Sequence, residues 1–162
     1  AHVIVMGHSN CGGVQGCLDM CKGHAPHLEE KTSFVGRWMD ILRPKYAEVA
    51  DIADPAEQVH ALEKHAVMVS LENLLSFPFV KERVEAGDLT LHGLWNDIGA
   101  GGVEYYDCDE EKFYRFNPKT CLHKPETGFY SGAMQQRIAV NLREEHTRKP
   151  CSSRNARHTD YS

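Results

Sequence analysis

The sequence predicts an α/β domain with a mostly parallel central sheet, flanked by helices and ending in a C-terminal hairpin. Three observations carry this. Val3-Ile4-Val5-Met6 and Leu89-Thr90-Leu91-His92-Gly93-Leu94-Trp95 are apolar runs of strand length, the kind buried on both faces. Between them lie segments with apolar residues at helical spacing, and strand, helices, strand implies a crossover and a parallel pair. After the second run, Val103-Glu104-Tyr105-Tyr106 and Phe113-Tyr114-Arg115-Phe116 flank an acidic turn, Asp107 to Glu111, and read as a hairpin.

The elements follow in order. The first strand begins almost at residue 1, and a buried parallel strand there predicts partner strands earlier in a longer chain. Gly7-His8-Ser9-Asn10-Cys11-Gly12-Gly13 is a tight loop, followed by a helix from about Val14 to Met20. Lys22 to Lys31, with Pro26, reads as loop. Phe34, Val35, Trp38, Ile41 and Leu42 recur at helical spacing, in a helix that Pro44 soon limits. Asp54 is a natural N-cap, Pro55 suits the first helical position, and Glu57 completes an Asp-x-x-Glu box. Val59, Leu62, Ala66, Val69 and Asn73 then trace one stripe, with Leu71, Leu74 and Leu75 in the last turns. Phe77-Pro78 breaks that helix, and a short one through Val80 and Val84 ends at Gly87.

The chain has 162 residues, one domain's worth, with 41% hydrophobic and 25% charged residues, which places it among globular chains. No apolar run is long enough for a membrane span, and no signal-peptide pattern is visible at the start of the sequence. Residues 1–116 hold 10 Lys and Arg against 19 Asp and Glu, while residues 117–162 hold 8 against 4. The sign changes where the apolar patterning thins, so the expected division is a domain over 1–116 and a basic extension over 117–162. Gly132 to Leu142 could form a modest helix, and the last 16 residues read as disordered. A net charge of −5 argues against nucleic acid as partner. Six unevenly spaced cysteines without a secretory signal suit a reducing, cytoplasmic compartment, with thiols free or on metal.

His8-x-x-Cys11 carries the chemistry. An imidazole and a thiolate three residues apart, on a loop leaving a buried strand, can reach one zinc ion. Gly12-Gly13 lets backbone approach closely and opens a helix whose N–H groups suit an anion, so these glycines are the candidate substrate pocket. The position lies beyond the carboxyl end of a strand, where open α/β sheets bind ligands.

The segment Val3 to Val14 resembles the second zinc motif of the β-class carbonic anhydrases. Three further segments agree in order: His65 to Val80 with the family helix and its turn, Leu89 to Ile98 with its His-Gly strand, and 99–116 with its terminal hairpin. The resemblance implies a β-carbonic-anhydrase-like fold, Zn2+ as cofactor, and reversible hydration of carbon dioxide to bicarbonate and a proton. Zinc in such a site lowers the pKa of water from about 15.7 to about 7. It also implies His8 and Cys11 as metal ligands and a homodimer or higher even oligomer. The family completes its site with a Cys-x-Asp-x-Arg motif, which occurs nowhere in this chain. The third ligand and the Asp–Arg pair are therefore missing, no catalytic residue is identified, and the chain alone is expected to be weak or inactive.

Other features read more simply. Cys17, Cys21, His24 and His27 have the ligand types of a separate zinc site, at an unusual spacing. His60 and His65 read as packing or solvent residues, His92 as a buried strand residue, and Trp38, Trp95, Tyr105 and Tyr106 as core and interface. Cys108, Cys121 and Cys151 are isolated. Two rivals remain to the carbonic anhydrase reading: a zinc hydrolase of carbonyl sulfide or carbon disulfide on the same scaffold, and a non-catalytic remnant of the fold.

Overall fold

A computed structural model describes residues 1–30 and 33–116. The sequence expectations for the extension over 117–162 lie outside these residues. Strand β1 (His2–His8) leads into helix α1 (Gly12–Cys21), and α2 (Phe34–Met39) and α3 (Tyr46–Val49) follow, joined by short 3-10 turns. The long α4 (Pro55–Leu75) and α5 (Pro78–Glu85) precede β2 (Thr90–Asp97), β3 (Gly102–Asp107) and β4 (Lys112–Arg115). The sheet runs β1-β2-β3-β4. β1 and β2 are parallel, from His2 opposite Thr90 to His8 opposite Asn96, and the other two pairings are antiparallel. The architecture is α/β with its terminal hairpin, and the sheet is mixed.

Local chemistry explains the boundaries. Asp54 accepts hydrogen bonds from the backbone N–H groups of Ala56 and Glu57, at 2.8 and 3.0 Å, with Pro55 in the first turn. Ser33 caps α2 by accepting the Gly36 N–H, and α2 ends at Met39, three residues before the expected Leu42. Gly87, at φ +76°, closes α5 in the left-handed region that suits glycine.

Helix α4 is the keel. Leu62, Val67, Leu71 and Leu75 are buried, so the innermost stripe steps by four from Val67, while the expected Val59, Ala66 and Val69 flank it. On one side α4 packs with α5 on the sheet, burying Leu91 and Tyr106; on the other it meets α1 and Met39. Two glycines set how closely it lies on the strands. A Cβ on Gly7 would sit 2.6 Å from Val67 Cγ2, and one on Gly93 would sit 2.9 Å from Leu71 Cδ1.

β1 corrects one expectation. It is not buried on both faces: Ile4 and Met6 are 59% and 58% exposed. Among the described residues it is an edge strand, paired only with β2, and α4 covers only the face carrying Val5 and Gly7. His2 and His92 lie on the other face. Their rings meet Nδ1 to Nε2 at 2.9 Å, so one imidazole must be neutral to accept.

Folding stability is expected to fall on mild acidification. Burial, then the charge of His2, push the His92 pKa down; burial pushes His65 down against the opposing pull of Glu48. Both bases bind a proton more weakly folded than unfolded, so acid favours the unfolded chain as pH passes down through about 6.5. The check is the urea midpoint at about pH 7.5 and about pH 5.5. A lower midpoint at the acid end is expected, and a flat profile would contradict it.

Candidate metal centre

The loop after β1 is stitched down on both sides. Ser9 is 1% exposed; its Oγ accepts the Ile98 N–H at 2.8 Å and donates to Asp97 Oδ1 at 3.4 Å. Asp97 Oδ1 also accepts the N–H groups of Gly99 and Ala100, both at 3.0 Å. These donors, Ala100 first, hold the Asp97 carboxyl below the usual carboxylate range. Asn10 takes a left-handed turn, φ 57°, which carries the chain to Cys11. From the other side, Glu63 of α4, 1% exposed, accepts the Cys11 N–H on Oε1 at 3.0 Å. Its Oε2 is buried with no hydrogen-bond partner.

This loop presents His8 and Cys11. His8 Nδ1 lies 2.9 Å from the Ser9 carbonyl oxygen. A carbonyl only accepts, so Nδ1 carries the proton and the Nε2 lone pair is free for a metal, the usual arrangement of a ligating histidine. Cys11 is a free, half-buried thiol at the N-cap of α1, and its side chain makes no capping bond. Both donors fit zinc. Gly12 and Gly13 open α1; a Cβ on Gly12 would meet nothing within 4 Å, whereas one on Gly13 would sit 2.9 Å from Trp38 Cζ3. Trp38 is 64% exposed and roofs the start of α1 beside Cys11.

No group of three or more metal-ligating side chains occurs among the described residues. Cys17, Cys21, His24 and His27 are therefore not assembled as a four-ligand site. Cys17 is buried in the core on α1, while His24 and His27 lie past the helix end, exposed. His60 packs edge-on against Trp95, ring centroids 5.4 Å apart. His65 lies 3.6 Å from Glu48 Oε2. The sequence reading missed Glu63, Ser9 and Asp97. For Glu63 the sequence carried no local signal, because the stripe through Val67 on which it lies emerges only from the packing of α4.

Fold and loop together define an α/β protein with side chains able to ligate a metal at the carboxyl end of a parallel strand. The carbonic anhydrase family model matches residues 1–103, and the chain belongs to that family. It is 37% identical over 111 residues to beta carbonic anhydrase 3 of Arabidopsis thaliana, covering 67% of this chain and 42% of the relative. To the mitochondrial beta carbonic anhydrase 6 of the same plant it is 30% identical over 134 residues, 80% of this chain and 40% of the relative. The chain thus spans about two fifths of the length of these curated relatives. The solved β-carbonic anhydrase CcaA superposes with a TM-score of 0.62 at 26% identity, over 73% of this chain and 52% of CcaA. A tetrameric β-carbonic anhydrase of Sordaria macrospora shares the fold, with a TM-score of 0.51 at 24% identity over 66% of this chain and 52% of its own.

Proposed function

We propose that this chain supplies two zinc ligands, His8 Nε2 and Cys11 Sγ, to a site for reversible hydration of carbon dioxide to bicarbonate and a proton. The observation that supports the reading best is the His8 Nδ1–H bond to the Ser9 carbonyl, which leaves Nε2 available, three residues before a Cys11 thiol that makes no capping bond. Bound zinc supplies Lewis acidity that makes water nucleophilic near neutral pH. The chain's own groups do the holding. Ser9 and Asp97 fix the loop carrying His8, Glu63 fixes the Cys11 backbone, and Gly12 leaves room for a small anion over the first N–H groups of α1, while Gly13 lets Trp38 lie close.

Residues 1–116 form the catalytic-fold part in this reading, and 117–162 are a basic extension. The protein works in a cytoplasmic compartment as a homodimer or higher even oligomer. Catalytic zinc keeps three protein ligands, and the described residues gather no such group, so the chain alone is expected to turn over weakly or not at all. A non-catalytic remnant rests on that same observation.

Stopped-flow hydration of carbon dioxide by the zinc-loaded chain and its Cys11→Ser variant tests this. The expected rate for both matches the spontaneous reaction, while zinc uptake by the parent exceeds that of the variant. A zinc-dependent rate abolished by Cys11→Ser would overturn the incomplete-site reading. Equal zinc uptake by the two would overturn Cys11 as a ligand.

A further inference from the structure

Helix α1 carries a pair of sulfur donors, Cys17 and Cys21, on different turns from Cys11. Cys17 and Cys21 are four residues apart and share one helical face. Cys17 is 0% exposed, and its thiol donates to the Met39 carbonyl at 3.6 Å. Cys21, the last residue of α1, is half-buried, and it acts electrostatically on the Cys17 thiol. Arg43 stands close enough to act electrostatically on both sulfurs. Its guanidinium is held by Glu29 at 3.0 Å and Asp40 at 2.8 Å.

The spacing decides what two such thiols can do. Cβ atoms at i and i+4 on a helix are about 5–6 Å apart, whereas a disulfide needs about 3.5–4.5 Å. The pair cannot oxidise to itself unless the end of α1 unwinds. Burial, then Cys21, push the Cys17 thiol up to about 12, so Cys17 rests protonated and unreactive. A metal ion bridging the sulfurs, with bonds of about 2.3 Å each, spans the gap that a disulfide cannot.

We propose that Cys17 and Cys21 form a two-thiolate site for a soft, thiophilic monovalent cation, copper(I) by class. Thiolates select such ions, and a d10 monovalent cation accepts two ligands where structural zinc needs four. Among the described residues no third ligating side chain joins this pair, and two-coordinate binding needs none. The step is ligand exchange without redox change: two S–H bonds break, two S–Cu bonds form, and two protons leave to solvent. The product carries one negative charge, which Arg43 faces. Half-buried Cys21 is the entry and buried Cys17 the anchor.

The test is anaerobic titration of the reduced 162-residue chain with copper(I) against a chromophoric chelator. Parent, Cys17→Ser, Cys21→Ser and a His8→Ala/Cys11→Ser double variant are compared. Cys108, Cys121 and Cys151 are present in all four, so their contribution cancels. The expected result is one equivalent fewer, at a given chelator concentration, for Cys17→Ser and for Cys21→Ser. The His8→Ala/Cys11→Ser variant keeps that equivalent, which separates this site from the candidate zinc loop. If Cys17→Ser misfolds by circular dichroism, Cys21→Ser decides alone, because its thiol is only half-buried. Parent-like stoichiometry in Cys21→Ser would overturn the proposal, as would an equivalent lost only with Cys11.

Discussion

Gly36→Ala is expected to lower stability by about 2 kcal/mol net, from a clash costing about 3 kcal/mol, the upper end of ordinary overpacking. A Cβ at Gly36 would lie 1.8 Å from the Leu28 carbonyl oxygen and 2.9 Å from its carbon. Both atoms are backbone, so no rotamer change relieves the clash; α2 or the Pro26–Glu29 turn must move bodily. Alanine's better helix propensity opposes this by about 1 kcal/mol, which the clash exceeds. Thermal unfolding is the check, with a drop of roughly 10 °C expected for a domain of this size. Because α2 carries Trp38 over Gly13, the displacement also loosens the roof of the loop after β1. An unchanged melting temperature would show that α2 docks less tightly on the turn than this geometry requires.

The sequence made much of this fold legible where one physical signal dominates. The apolar run Leu89 to Trp95 reads as a strand because Leu91 and Trp95 face α4, and the helix start at Asp54-Pro55 is legible because capping is local. The apolar run in β1 misled, because composition records hydrophobicity and not what covers it; Ile4 and Met6 lie on a face that no described helix covers. The inner stripe of α4 was displaced for a related reason. Packing two clusters on opposite sides of one helix broadens its apolar surface, and Val59, Ala66 and Val69 sit beside the seam.

The candidate site divides in the same way. His8, Cys11, Gly12 and Gly13 are contiguous, so spacing reveals them. Ser9 needs Asp97 and Ile98, and Cys11 needs Glu63, partners that lie 52 to 89 residues away. Only the fold brings those together. Glu63 looks like an exposed helix carboxylate when read locally, yet it holds the Cys11 N–H with one oxygen and keeps the other buried and unpartnered.

The largest functional effect is expected at Cys11, and the most direct measurement is cobalt(II) binding by the 162-residue chain, with cobalt standing in for zinc. Thiolate-to-cobalt charge-transfer absorption reports the sulfur ligand without requiring turnover. The parent chain with excess cobalt is expected to show that absorption, and Cys11→Ser to lose it. His8→Ala should weaken binding beyond the roughly 10–100-fold that outer-shell changes cost. A Cys17→Ser/Cys21→Ser variant should keep the absorption, because those sulfurs belong to a different turn of α1. Absorption that survives Cys11→Ser and disappears with Cys17 and Cys21 would contradict the assignment and move the metal off the loop after β1.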